Sequence, residues 1–171
     1  MEDRKAVNLM GRGGVMQGKA GLSLLISGML VFGPTVAEER TDPLAQYRPI
    51  LSESFKQLLR EVDPASGERD FMRKCSSCHD QQRDGGHGKG PYLWNLMGRR
   101  AGSLPGFEYS DAMRNSGHTW DIAALNYYLA DTEQAVPGRI MNFRGIRRDK
   151  VRARLIAYLL QFNDAPPPLP E

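Results

Sequence analysis

Both cysteines of this chain, Cys75 and Cys78, sit in the stretch Arg-Lys-Cys-Ser-Ser-Cys-His-Asp-Gln, with His79 directly after them. A Cys-x-x-Cys pair serves several chemistries, and the rest of the chain decides between them. A disulfide between them would close only a tiny loop and restrain the unfolded chain little. A redox-active thiol pair of the thioredoxin type opens a helix after a strand, and no strand precedes this pair. A structural zinc site wants four ligands. Only His87 and His118 remain as further strong nitrogen or sulfur ligands, at no common zinc spacing. The remaining use is covalent attachment of a c-type haem. There each thiol adds to one haem vinyl group and the adjacent histidine becomes an axial iron ligand.

That use needs a sixth ligand downstream. After Ala37 the methionines are Met72, Met97, Met113 and Met141. Met72 is one turn from Cys75 on the proximal side. Met97 and Met113 stand in segments with other work to do. Met141 follows Pro137-Gly138-Arg139-Ile140, where a rigid turn between two helices can aim a sulfur inward. Met141 is therefore the first choice. His118 is the alternative ligand, although its ordinary role is that of a partly exposed histidine ahead of a helix cap.

The elements that must position these residues follow from composition and periodicity. Arg4, Lys5, Arg12 and Lys19 outweigh Glu2 and Asp3, an uncharged run spans 20–37, and Thr35-Val36-Ala37 ends it in small-x-small form. Residues 1–37 thus read as a secretory signal peptide cleaved after Ala37, or as an uncleaved membrane anchor. Either way the remainder lies outside the cytoplasm. Residues 38–64 form a lead-in. There Ile50, Leu51, Phe55, Leu58, Leu59 and Val62 predict a short amphipathic helix over 50–62, packed on the main domain or serving as a stalk. The main domain is 65–163. It should hold a helix over 67–78, a Gly-rich loop over 79–105, a turn or two of helix within 106–115, and a helix from Thr119 as N-cap to Ala130. A last helix over 147–162 carries a stripe of Val151, Leu155, Tyr158, Leu159 and Phe162. Residues 164–171 are a Pro-rich tail, disordered or extended.

Hydrophobic residues make up 40% and charged residues 25%, ordinary globular usage, and a net charge of +3 is too mild to argue for nucleic acid. No stretch alternates as a strand, so the fold class is all-α, with four to five short helices and long loops. So little helix buries a thin core, and a large cofactor would fill the middle.

The motifs KCSSCH, HGKGPYLWNLMGRRAGSLPGFEYSDAM, TWDIAALNYYLADTEQAVPGRIMNFRGI and ARLIAYL stand in this order over about residues 67–159. In these the chain resembles class I cytochrome c of the mitochondrial and α-proteobacterial type. The resemblance implies the class I cytochrome c fold and one haem c per chain, held through Cys75 and Cys78. It implies His79 as proximal ligand, with its other ring nitrogen on the Pro91 carbonyl, and Met141 as distal ligand. Arg99, Tyr109 and Trp120 would satisfy the haem propionates, which are costly to bury unpaired. Tyr128 would lie near the Met141 sulfur, Phe143 would cover the haem edge, and Gly67, Phe71, Leu155 and Tyr158 would join the first and last helices. Two positions depart from the family, which has Asn in place of Met113 and Thr in place of Arg139. Both bear on the polar network beside the methionine, hence on the potential and the firmness of the Met141 bond.

The function so implied is a one-electron carrier, not an enzyme, since two axial ligands leave the iron no open position. Lys89, Arg99, Arg100, Arg139, Arg144, Arg147, Arg148, Lys150 and Arg152 make a basic rim, with Asp149 the nearby exception. Such a rim steers a protein onto acidic docking faces. The implied partners are a cytochrome bc1-type quinol–cytochrome c reductase as donor and a cytochrome c oxidase or other periplasmic reductase as acceptor. They would be met in the periplasm by a monomer. One alternative is a membrane-tethered cytochrome c with 38–64 as its leash. Another, of a different class, is a haem-based gas sensor or peroxidase with a displaceable sixth ligand.

Overall fold

The first helix starts where a serine can cap it. The computed structural model describes residues 42–171, so the export segment expected over 1–37 lies outside the described residues. Helix α1 is Glu53–Glu61, and the Ser52 hydroxyl accepts from the Phe55 amide at 3.2 Å. It begins three residues later than the periodicity predicts. Ile50, expected on its apolar face, is 88% exposed, whereas Phe55 and Leu59 are buried.

Helix α2, Ala65–Lys74, buries Gly67, Asp70 and Phe71 on one face. It stops short of the cysteines it was expected to contain. Cys75 caps it, and the chain then folds back, with the Cys78 and His79 amides donating to the Cys75 carbonyl at 3.0 and 2.9 Å. Helix α3 is Asp111–Asn115, capped by Ser110, and α4 is Ile122–Ala130. The cap of α4 is Asp121, whose carboxylate accepts from the Ala124 amide at 2.7 Å. Thr119, the predicted cap, is instead held in an isolated antiparallel bridge with Arg100. Helix α5, Thr132–Ala135, is too short to show in the apolar periodicity; Asp131 caps it.

Helix α6, Asp149–Leu160, is the hub, with α1, α2 and α4 packed on it. Its expected stripe is buried except Phe162, which lies past the helix end. The helix is covered almost all round, Arg152, Ala153 and Ile156 included. The closest approach is at Gly67, where a Cβ would stand 2.1 Å from the Arg154 carbonyl oxygen. One turn on, the buried Asp70 carboxylate accepts from Arg154 at 2.7 and 3.0 Å and from Arg73 at 2.9 Å. Phe71 meets Tyr158 with ring centroids 5.6 Å apart.

Both flanks of the domain are tied in. Leu44 is fully buried, and its amide donates to the Ala135 carbonyl at 2.9 Å, so the segment before α1 packs on the domain and is no free stalk. After α6, Asp164 accepts from Asn95 at 2.6 Å and Trp94 at 3.3 Å, pairs with Arg83, and donates its amide to Asn95 at 2.7 Å. The tail has no regular structure. Arg60 of α1 donates to the Pro170 carbonyl at 2.8 Å. Among the described residues, no helix is long and apolar enough to cross a membrane.

Candidate functional site

A cavity of about 310 Å³ opens inside the domain, walled by Leu96, Leu125, Leu129, Leu155 and Leu159. Into this apolar space the chain brings Cys75, Cys78 and His79 from the turn after α2, Pro91 and Arg99 from the following loop, and Tyr109 ahead of α3. Trp120 and Tyr128 come from α4 and its approach, and Met141 and Phe143 from the α5–α6 loop. These are the ten residues singled out from the sequence, and all ten line the one cavity.

His79 is held by geometry on two sides. Its Nδ1 lies 2.7 Å from the Pro91 carbonyl oxygen. A carbonyl can only accept, so Nδ1 carries the hydrogen and Nε2 keeps its lone pair. Burial pushes the imidazole pKa down, which favours the neutral form a metal ligand needs. Gly90 backs the ring so closely that a Cβ there would be 2.3 Å from Cε1. Gly90 is a site residue that the sequence did not single out. Cys75 and Cys78 are not joined to each other in a disulfide.

Met141 is delivered by a tight turn in which Gly138 has φ +82° and the Arg139 amide donates to the Val136 carbonyl at 3.2 Å. This is the turn that Pro137-Gly138 predicts. Burial raises the Tyr128 phenol to about 12, so its hydroxyl stays protonated and donates to the Met141 sulfur at 3.5 Å. The Arg99 guanidinium binds the carbonyls of Tyr92 at 3.1 Å, Asn95 at 3.3 Å and Trp94. Its charge also acts on Tyr109, whose phenol burial raises. The Trp120 amide donates to the Arg99 carbonyl at 2.9 Å, and its indole meets the Tyr128 ring at 5.1 Å. Arginine, phenol and indole are donors suited to carboxylates that must be buried.

Three sequence readings need correction. His118 is 2% exposed, not partly exposed, and neither ring nitrogen has a hydrogen-bond partner. The left-handed turn at Gly117 and the bridge at Thr119 draw it inward, against Trp120 at 4.3 Å. It is not among the cavity-lining residues, so the alternative ligand has no place at the site. Arg152 belongs to the interior, 6% exposed, not to a surface rim. Arg139 braces its own loop from outside the cavity, donating to Thr132 at 2.6 Å, Glu133 at 2.5 Å and the Phe143 carbonyl at 3.1 Å. Met113, in contrast, does line the cavity.

The residues fit a haem. An apolar cavity brings together two cysteine sulfurs not spent in a disulfide, an imidazole with an available Nε2 and a thioether, together with donors for acidic substituents. Among the described residues, no group of three or more His, Cys, Asp or Glu side chains converges as a metal site of another kind.

No family model matches the chain. Individual proteins do. It is 46% identical over 97 residues to a cytochrome c2 of Rhodomicrobium vannielii, covering 57% of this chain and 77% of that protein. It is 42% identical over 99 residues to a cytochrome c of Chlamydomonas reinhardtii, covering 58% and 88%. A cytochrome c2 of Rhodoplanes tepidamans is 46% identical over 92 residues, covering 54% and 86%. With helices and no strand among the described residues, and with identity extending over most of these relatives' length, the chain belongs to the class I cytochrome c family: it is a haem c-bearing electron-transfer protein, not an enzyme.

Proposed function

We propose that the chain is a periplasmic one-electron carrier of a respiratory chain, with His79 and Met141 as its axial ligands. The observation that carries this reading is the meeting of Cys75, Cys78, His79 and Met141 in one apolar cavity. When bound, the haem supplies reversible one-electron chemistry between Fe(II) and Fe(III), and a His/Met pair raises its potential. The protein's part is to bind, orient and shield. Cys75 and Cys78 would anchor the group through thioethers. The Nδ1–H bond to Pro91 fixes the imidazole plane and raises its basicity. The Tyr128 hydroxyl orients the Met141 sulfur. Arg99, Tyr109 and Trp120 would hold the propionates, and Phe143 would cover the edge.

A thioether held in this way leaves no open coordination position, which favours a carrier over a gas sensor or peroxidase. Lys89, Arg100, Arg144, Arg147, Arg148 and Lys150 are exposed. They form the rim by which the protein would meet acidic faces of a quinol–cytochrome c reductase as donor and an oxidase or other periplasmic reductase as acceptor. Export by residues 1–37 and action as a monomer belong to the same proposal. The packing of Leu44, Phe55 and Leu59 argues against a flexible leash over 42–62. The test is the intact mass of protein purified from a host that matures c-type cytochromes. Chain 38–171 plus one haem supports the exported carrier. Full-length chain plus haem supports a tethered form, and chain without haem overturns the reading.

A further inference from the structure

The Met141 loop runs from the end of α5 at Ala135 to the start of α6 at Asp149 without regular structure. A loop of this length holds a ligand in place only if its two ends are fixed. The entry meets a remote segment of chain, residues 42–61, directly, and the exit meets it through Arg152 of α6.

At the entry, the Leu44 amide donates to the carbonyl of Ala135, the last residue of α5, at 2.9 Å, and the Leu44 side chain is fully buried. Beside it the Tyr127 hydroxyl of α4 donates to the Asp42 carbonyl at 2.8 Å and accepts from Gln134 of α5 at 3.1 Å. The Tyr47 ring meets the Tyr127 ring edge-on at 5.3 Å. At the exit, Arg152 donates to the carbonyls of Ile146 at 2.6 Å and Arg147 at 3.0 Å. Its guanidinium lies 5.7 Å from the centroid of Phe55 in α1, and Phe55 is 2% exposed. A buried guanidinium over an aromatic face is held there by electrostatic attraction as well as by packing.

We propose that residues 42–61 act as a strap that clamps both ends of the Met141 loop, making Leu44 and Phe55 positioning residues for the distal ligand. The proposal rests on Met141 being that ligand. Release of the sulfur requires the loop to open locally, and the cost of a local opening is set by the contacts that break with it. The strap adds contacts at both hinges of that opening and none at the sulfur itself. It therefore slows ligand release without altering the ligand's chemistry.

The experiment uses the full haem-loaded protein in its ferric form, mixed with imidazole in a stopped-flow instrument. At saturating imidazole the rate of binding equals the rate at which the methionine lets go. The deep-red sulfur-to-iron charge-transfer band reports whether the sulfur is bound beforehand. Leu44→Ala is expected to raise the limiting rate roughly tenfold, with the band present before mixing. Leu44→Val, a milder change that preserves the fold, is expected to raise it a few-fold. Ile50→Ala, at an 88% exposed position on the same segment, should match the parent. Limiting rates equal to the parent's in both Leu44 variants, with the band intact, overturn the strap. A parent that lacks the band overturns the Met141 reading itself, and the strap with it.

Discussion

Replacing Gly90 with alanine should loosen the proximal ligand and raise the reduction potential. A Cβ at this position stands 2.3 Å from Cε1 of His79 and 2.8 Å from each ring nitrogen, where ordinary contact begins at 3.4 Å. The backbone cannot yield easily, because the Gly90 amide donates to the Cys78 carbonyl at 2.8 Å and its carbonyl accepts from Gly88 at 3.0 Å. The imidazole must therefore retreat by about an ångström, the distance needed to relieve such a contact. That displacement breaks the bond from Nδ1 to the Pro91 oxygen, now 2.7 Å long. Losing the outer hydrogen bond of a metal-bound histidine weakens metal binding or activity by about 10- to 100-fold. A less basic imidazole supports Fe(III) less than Fe(II). If the lower bound of that loss falls on the ferric state, the midpoint rises by about 60 mV. The assay is a potentiometric titration of the haem-loaded Gly90→Ala protein beside the parent. An unchanged midpoint with normal haem attachment would refute the claim that Gly90 and Pro91 together set the ring.

Gly67→Ala should destabilise the fold. Overpacking against the Arg154 carbonyl costs about 1–3 kcal/mol, and retreat of α2 strains the buried Asp70–Arg154 pair further, while alanine's helix propensity returns about 1 kcal/mol. A net loss of about 2 kcal/mol lowers Tm by roughly 7 °C in a domain of this size, readable by circular dichroism. His118 should contribute to acid sensitivity. Burial first, and the Arg48 charge second, lower its pKa from 6.5 to about 4 against the opposing pull of Asp121, so the fold favours the neutral ring. The unfolded chain binds this proton first. Stability is therefore full above 6.5 and falls as pH drops toward about 4, by about 3 kcal/mol in all. Urea unfolding of His118→Leu should lose that part of the pH slope and gain stability at neutral pH, because two unpaired buried nitrogens are gone. An identical slope in the two proteins would contradict it.

The chemistry was legible because it depends on residue type at short spacing. Cys75, Cys78 and His79 lie close together in the chain, and the Pro137-Gly138 turn that brings Met141 to the cavity is visible just before it. Helix existence was legible for the same reason. What was not legible depends on distant partners. Thr119 and Asp121 are both good caps, and the bridge from Arg100 decides between them. Arg152 reads as a surface charge because the carbonyls, the Asn126 amide and the Phe55 ring that receive it are scattered along the chain. His118 reads as polar and exposed, and only the packing of Trp120 and the turn at Gly117 bury it. Helix α5 is a four-residue turn with no apolar period to detect. Gly90 gave no signal beyond its neighbours, since its role is the absence of a side chain beside an imidazole.

Asp164 carries a practical lesson about where this molecule can be cut. By composition it opens a disposable tail, one residue past the buried Asn163. By contact it is the anchorage of the segment 83–95, receiving Arg83, Trp94 and Asn95 together. Gly90 and Pro91, which set the imidazole, lie within that segment. A trimmed version ending at the close of α6, or a fusion joined there, would unmoor the backbone that steers the His79 imidazole. The edge of the redox unit is thus drawn by a single carboxylate, and a shortening made for convenience would surface as a change in voltage.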